Sequence, residues 1–229
     1  MMGDFKFGAV LGLATCALGL LGLNAPPQWW WIGPALFAIV VAALVIAATS
    51  DGRYLLFEPG EDFSFLDFAA WGAPLAIAGR AVAGFEVVDY LQPILPAVPI
   101  GFGYAYCCHL ARLHGSPSPE QLQELGKVRW LFITIAGIAM GWGLAVQINE
   151  LGTRGVQRIA GRVIDIKISQ GAGRNSKTPY MNIEGIAGGA PGSYRVGWDM
   201  YSSTYEGQIV CVDTHTGLLG FRWKEVHHC

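Results

Sequence analysis

Four side chains with ligand or nucleophile chemistry stand together at the end of an apolar run: Cys107, Cys108, His109 and His114. Thiolate and imidazole are the usual ligands of a soft metal, and a thiol beside an imidazole is the start of a nucleophile–base pair. The spacing disfavours both. Adjacent cysteines leave a helix in different directions and do not easily hold one ion, and His114 is not on the face of His109. Packing plus interfacial histidines accounts for the four more simply. His227-His228-Cys229 reads as a free tail, an adventitious metal site at most. Gly171 to Thr178, GAGRNSKT, comes near the phosphate loop GxxxxGK[ST]. Ser176 replaces the glycine before Lys177, and Pro179 follows Thr178 where the motif needs a helix N-terminus. The stretch therefore reads as a basic hairpin loop whose Arg174 and Lys177 are contact residues for a partner. Asp67, Arg80, Glu86 and Asp89 lie in or beside apolar runs. Charges inside membrane segments mark ion or proton paths by default, which makes these four the candidates for a transporter or channel component. The plainer placement puts each at an interface, where it costs little. None of these constellations specifies a reaction, and no catalytic residue, cofactor or metal site is assigned.

The composition places these groups in a membrane protein. Of 229 residues, 52% are hydrophobic and only 14% charged, with mean hydropathy +0.39. The net charge of −2 hides a split: residues 1–147 carry six Lys or Arg against ten Asp or Glu, and 148–229 carry nine against seven. Neither half is basic enough for nucleic acid. The five cysteines, at 16, 107, 108, 211 and 229, are odd in number and form no CxxC, so they suggest neither a disulfide framework nor a zinc knuckle.

The elements that position the candidates begin with an apolar run from Phe7 to Leu23. It is long for a signal h-region and lacks a small-x-small cleavage site. Leu13-Ala14-Thr15-Cys16 resembles a lipobox, but Thr15 stands where Gly, Ala or Ser is wanted. Trp29, Trp30 and Trp31 mark an interface, and Ile32 to Thr49 is a second span, closing a helical hairpin. Phe65 to Phe85 and Leu91 to Leu110 are either two spans joined near Glu86 to Tyr90, giving five in total, or one span and one interfacial or re-entrant segment, giving four. Pro93, Pro96 and Pro99 predict an irregular helix start. His114 to Val128 is a polar connector. Trp130 to Gln147 is the last span, eighteen uncharged residues covering roughly 27 Å. Its Gly137 and Gly141 form a GxxxG face that suits close helix packing within the chain or a homo-oligomer.

Beyond it the composition turns polar. Arg154, Arg158 and Arg162 fall four apart, a basic stripe for anionic headgroups if the helix continues, or solvated arginines if a strand begins near Ile159. Ile164, Ile166 and Ile168 alternate with polar residues, Tyr180 to Ile186 is a second strand, Tyr194 to Tyr201 a third and Gln208 to Val212 a fourth. A turn at Asp213 to Gly217 leads to a fifth through Leu219, Phe221 and Trp223. Five short strands fit a small OB-like β-barrel. Gly207-Gln-Ile-Val-Cys-Val212 followed by Gly217-Leu-Leu-Gly220 resembles the end pattern of NfeD-type membrane proteins and other bacterial membrane proteins of this layout. The likeness is confined to the C-terminal strands. It implies scaffolding or quality control at a membrane, with the barrel as a protein-binding module.

The expected fold is thus an α-helical transmembrane bundle over 1–150 followed by a small all-β, OB-like domain over 151–229. The expected function is that of a non-catalytic scaffold or adaptor in a bacterial inner membrane. Its expected partners are the lipid bilayer and a protein held by the β domain. With five spans and an inside N-terminus, the basic residues divide too evenly to orient the chain.

Overall fold

The computed structural model describes residues 2–24, 31–50, 56, 64–84, 86–87, 91–115, 127–170, 177–185 and 192–229. The chain divides into two compact units, Met1–Gly84 with Tyr90–Ile148, and Phe85–Asp89 with Asn149–Cys229. The short stretch between two helices thus joins the C-terminal unit, which a linear reading of the sequence does not show.

The first unit is helical: α1 (Met2–Asn24), α2 (Ile32–Thr49), α3 (Phe65–Gly84), α4 (Ile94–Gly115) and α5 (Lys127–Glu150). Among the described residues three stretches are long and apolar enough to cross a membrane: Ile32–Thr49, Ile94–Gly115 and Trp130–Glu150. Small side chains fill the interior, with Ala43, Ala69, Ala70, Ala73 and Ala105 buried beside Leu36, Val40, Ile77 and Ile133. Phe37, Val41 and Val45 of α2, Leu95 and Phe102 of α4, and Leu131, Phe132 and Ile135 of α5 face outward. Such an apolar exterior is unfavourable in water and favourable in hydrocarbon.

The glycine face of α5 is filled by α4. A β-carbon on Gly137 would lie 2.8 Å from the Gly101 carbonyl oxygen, and one on Gly141 would lie 2.9 Å from Ile100 Cβ and 3.0 Å from Ala97 Cα. The two glycines therefore pack against α4 within the chain.

Pro74 sits inside α3 and lacks the N–H that would bond the Ala70 carbonyl four residues back. The hydroxyl of buried Tyr104, on α4, donates to that carbonyl oxygen instead. A defect in one helix is thereby repaired by its neighbour. The proline-rich stretch before the fourth helix resolves into a turn over 91–93, with Pro99 accommodated inside the helix.

The second unit is an antiparallel sheet that curls into a half-barrel. Its strands are β1 (Glu86–Val87), β2 (Gly155–Gln170), β3 (Lys177–Gly185), β4 (Gly192–Arg195), β5 (Ile209–Thr216) and β6 (Arg222–His228), with a short helix α6 (Trp198–Ser203) before β5. The order across the sheet is β1-β6-β5-β2-β3-β4. The long strand β2 makes the curl. It pairs with β5 from Gly155 to Arg162 and with β3 from Gly161 to Gln170, so it changes partner at Gly161. A β-carbon there would lie 2.3 Å from Ile183 Cγ2, so only glycine fits, and a bulge between Val163 and Asp165 adds to the bend. The concave side buries Val163, Met181, Ile183, Val196, Val210 and Val212. Curling also brings the far strands together: the Lys224 ammonium of β6 lies 4.9 Å above the Tyr194 ring of β4.

Two local readings of the sequence are corrected and one open alternative is decided. Residues 198–203 are helical rather than part of a third strand, with Gly197 as the extended residue before the helix. The fourth strand runs on to Thr216, so the turn falls at Gly217–Gly220, with Gly220 at φ +84°, and the fifth strand begins at Arg222. Of the two readings left open for Arg154, Arg158 and Arg162, the strand is the one formed, as β2 from Gly155 onward.

Candidate functional site

The candidates read from the sequence are placed as follows. Asp67 is buried at the start of α3, where the Ser64 N–H donates to its Oδ2 and its own N–H donates to Ser64 Oγ, both at 3.0 Å. This is a reciprocal capping box. Arg80 is also buried and donates from Nη1 to the Gly22 carbonyl at 3.1 Å, one of the last carbonyls of α1, which no intrahelical N–H satisfies. Glu86 lies on β1, in register with Lys224, and so belongs to the sheet rather than to a span. Asp89 and Arg174 lie outside the described residues. Lys177 is the exposed first residue of β3, so the lysine of the phosphate-loop-like stretch opens a strand, not a helix. Among the cysteine–histidine cluster, Cys107 is exposed, Cys108 is buried, and His109 packs its ring 5.6 Å from that of Trp130.

The polar convergence that the sequence concealed is on the outer side of the sheet. A spacing of four keeps residues on one side of a strand as well as of a helix, so Arg158 and Arg162 share a face of β2. Arg158 is directly opposite Asp213 of β5 and donates to it twice, Nε to Oδ1 at 2.8 Å and Nη2 to Oδ2 at 2.7 Å. From the other side His227 of β6 places Nε2 3.0 Å from Asp213 Oδ2 and donates from Nδ1 to the His228 carbonyl at 2.9 Å. The Arg158 hydrogen bonds hold the Asp213 carboxyl well below the usual carboxylate range, with His227 adding to the effect. Both ring nitrogens of His227 face acceptors, first the His228 carbonyl and then the Asp213 carboxylate, which raises its pKa.

Around this centre the same face carries three further contacts. His215 stacks on Trp223 across the β5–β6 pair, ring centroids 5.1 Å apart and 10° from parallel. His215 Nε2 also stands 3.6 Å from Glu225 Oε2. Cys211 and Cys229 form a disulfide with Cα atoms 5.0 Å apart. One disulfide is thus present where the cysteine count suggests none, and the C-terminal residues are not a free tail. His227 and His228 point to opposite faces of β6, and Cys229 is bonded, so they do not form a joint metal site. Among the described residues no group of three His, Cys, Asp or Glu side chains is placed to hold a metal ion.

One contact has the composition of a nucleophile–base pair. Ser203 Oγ lies 2.9 Å from His228 Nε2. The Tyr205 N–H donates to Gln208 Oε1 at 3.2 Å, which turns the Gln208 amide nitrogen toward His228 Nδ1, 3.3 Å away. Nδ1 must then accept and Nε2 must carry the proton, donating to Ser203, whose hydroxyl donates to the Asp199 carbonyl at 2.7 Å. A general base needs the opposite tautomer. The network ties α6 to β6 and does not activate the serine.

No family model, no curated protein and no solved structure matches this chain. The functional reading consequently rests on these residues alone.

Proposed function

We propose that this chain is an integral membrane protein whose five long helices all cross the bilayer and whose C-terminal unit is an OB-like module that binds or positions another protein, without catalysis. The membrane part is supported by the outward-facing apolar residues of α2, α4 and α5. OB-like architecture is supported by connectivity: a long first strand, β2, pairs with both the second and the fourth strands of the module, and a helix lies between the third and the fourth. Lys224 over Tyr194 brings the third and fifth strands together, where such a barrel closes.

The observation that carries the reading is the engagement of all three imidazoles of the β unit in holding its fold. His227 braces Asp213, His215 stacks on Trp223, and His228 bonds Ser203 in the tautomer that disables it. What remains on offer at its surface is contact chemistry, with Ile164 and Ile168 exposed near Arg162, Lys167 and Lys177. The transport alternative would draw on Asp67 and Arg80, whose polar atoms instead cap helix ends.

The test is a photo-crosslinking amino acid placed singly at Arg162, Ile164, Ile168 and Trp198 in cells. A protein-binding module gives one adduct of the same size from neighbouring positions. Absence of any discrete adduct from all four sinks the proposal.

A further inference from the structure

The β5–β6 turn is hydrogen-bonded to Asn149, at the end of α5, through both its side chain and its backbone carbonyl. Asn149, the penultimate residue of α5, is buried. Its Oδ1 accepts from the Leu219 N–H at 2.9 Å and the Phe221 N–H at 3.2 Å, its Nδ2 donates to the Phe221 carbonyl at 3.0 Å, and its own carbonyl accepts from the Leu218 N–H at 2.9 Å. A β-carbon on Gly217 would lie 2.2 Å from the Asn149 carbonyl oxygen, so the turn approaches as closely as a glycine permits. The leucines of the turn stay partly outside: Leu218 and Leu219 are 43% and 45% exposed, and Leu151, the next residue but one after Asn149, is 69% exposed. Three leucines therefore project from the point at which the apolar stretch Trp130–Glu150 ends.

Basic residues follow directly behind them. Arg154 donates its backbone N–H to the Thr216 carbonyl, and Arg222 is the strand partner of Thr216, so two exposed arginines stand on either side of the last residue of β5. Each is three residues from a leucine of the tip, at most about 10 Å of chain, which is the scale of a headgroup layer. Apolar first and cationic second is the order met on leaving a bilayer that carries anionic lipid.

We infer that Leu151, Leu218 and Leu219 form an interfacial anchor that dips into the acyl boundary of the membrane, with Arg154 and Arg222 contacting anionic headgroups. The inference rests on α5 being a membrane span. It gives the β unit a second attachment besides its covalent one, fixing which end faces the bilayer. An anchor of this kind penetrates about 5–10 Å.

The test uses the full-length protein in phosphatidylcholine–phosphatidylglycerol vesicles. Cys16, Cys107 and Cys108 are replaced by alanine, the Cys211–Cys229 disulfide is kept, and an environment-sensitive thiol dye is attached to one new cysteine at a time. Ile135→Cys reports the span, Leu218→Cys and Leu219→Cys the tip, and Tyr205→Cys, an exposed position elsewhere on the unit, solvent. Expected is strong quenching of Ile135→Cys by lipids labelled deep in the acyl chain. Both leucine variants are expected to shift to the blue and to be quenched by lipids labelled near the headgroup, and Tyr205→Cys by neither. Leucine variants as insensitive as Tyr205→Cys, with Ile135→Cys still quenched, overturn the anchor and leave the span standing. An Ile135→Cys dye that no lipid quenches overturns the span and the anchor with it.

Discussion

A carboxylate as enclosed as Asp213 remains ionised because the Arg158 guanidinium and the His227 imidazole face it, and this makes the outer face of the sheet sensitive to pH from both sides. Asp213 is depressed, chiefly by Arg158, so its contribution to stability is complete above the ordinary carboxyl value near 3.9 and is lost as pH falls toward the folded value. His227 is raised, chiefly by the His228 carbonyl, so its contribution is complete below about 6.5 and is lost as pH rises through the folded value. Denaturant midpoints of the β unit, followed by tryptophan fluorescence, should therefore peak between about pH 4 and pH 6.5 and fall on both sides. Asp213→Asn should remove the acid limb and reduce the alkaline one without abolishing it, because the carbonyl partner of His227 persists. A variant whose profile matches the unsubstituted protein would refute the assignment. At this scale the sequence is legible wherever partners are local. Ser64 and Asp67 stand three apart in the pattern of a capping box, so the role of Asp67 was within reach of the sequence. The Arg158 partner is 55 residues away, and only the register of β2 against β5 reveals it.

Helices and strands correct one another's defects in this chain, and that coupling is measurable. Tyr104→Phe removes the donor that satisfies the Ala70 carbonyl and should cost about 1–2 kcal/mol, as a buried acceptor left unpaired does. Pro74→Ala supplies an N–H from within α3, so Tyr104→Phe should be close to neutral in that background. Unfolding in mixed micelles, followed by circular dichroism, completes the double-mutant cycle, and additive losses would show the two residues to be uncoupled. The glycines of α4 and α5 give a second contrast. Gly137→Ala presses a methyl group against the Gly101 carbonyl and should destabilise by about 1–3 kcal/mol. Gly103→Ala meets nothing within 4 Å and should stabilise by roughly 0.5–1 kcal/mol through lost chain entropy. The same micelle titration reads both, and equal signs would reject the packing account. Most elements were legible from hydrophobic runs, including the second helix with both of its ends. The third strand was misjudged because Val196 and Met200 satisfy a period of two and a spacing of four at once. Gly197, which lets the chain turn into α6, decides between them. Strand β1 was invisible: two residues between two helices carry no periodicity, and only pairing with β6 makes them a strand.

The whole chain poses a question of sides, and the disulfide bears on it. Five cysteines, odd in number and without a CxxC, suggest no disulfide framework in the sequence. Pairing is instead set by the β5–β6 register, in which Cys211 faces His227 and so stands diagonal to Cys229. Closing a loop over a sequence separation of 18 should stabilise the β unit by about 3 kcal/mol. Such a bond persists where the compartment is oxidising and is reduced in a cytosol. The prediction is that the β unit lies on the extracytoplasmic side. With five crossings this places the N-terminal end in the cytoplasm, the arrangement in which Lys6, Arg53, Arg112, Lys127 and Arg129 lie inside. Intact cells can be treated with an impermeant maleimide in a background lacking Cys16, Cys107 and Cys108, with and without prior reduction, and with Lys177→Cys as the reporter of exposure. The expected result is reaction at Lys177→Cys in either condition and at Cys211 and Cys229 only after reduction. If Lys177→Cys is protected until the cells are opened, and both native thiols then react without reductant, the β unit is cytoplasmic. An even number of crossings would then follow for an inside N-terminus, and α3, which carries Asp67 and Arg80, would be the helix to remove from the count.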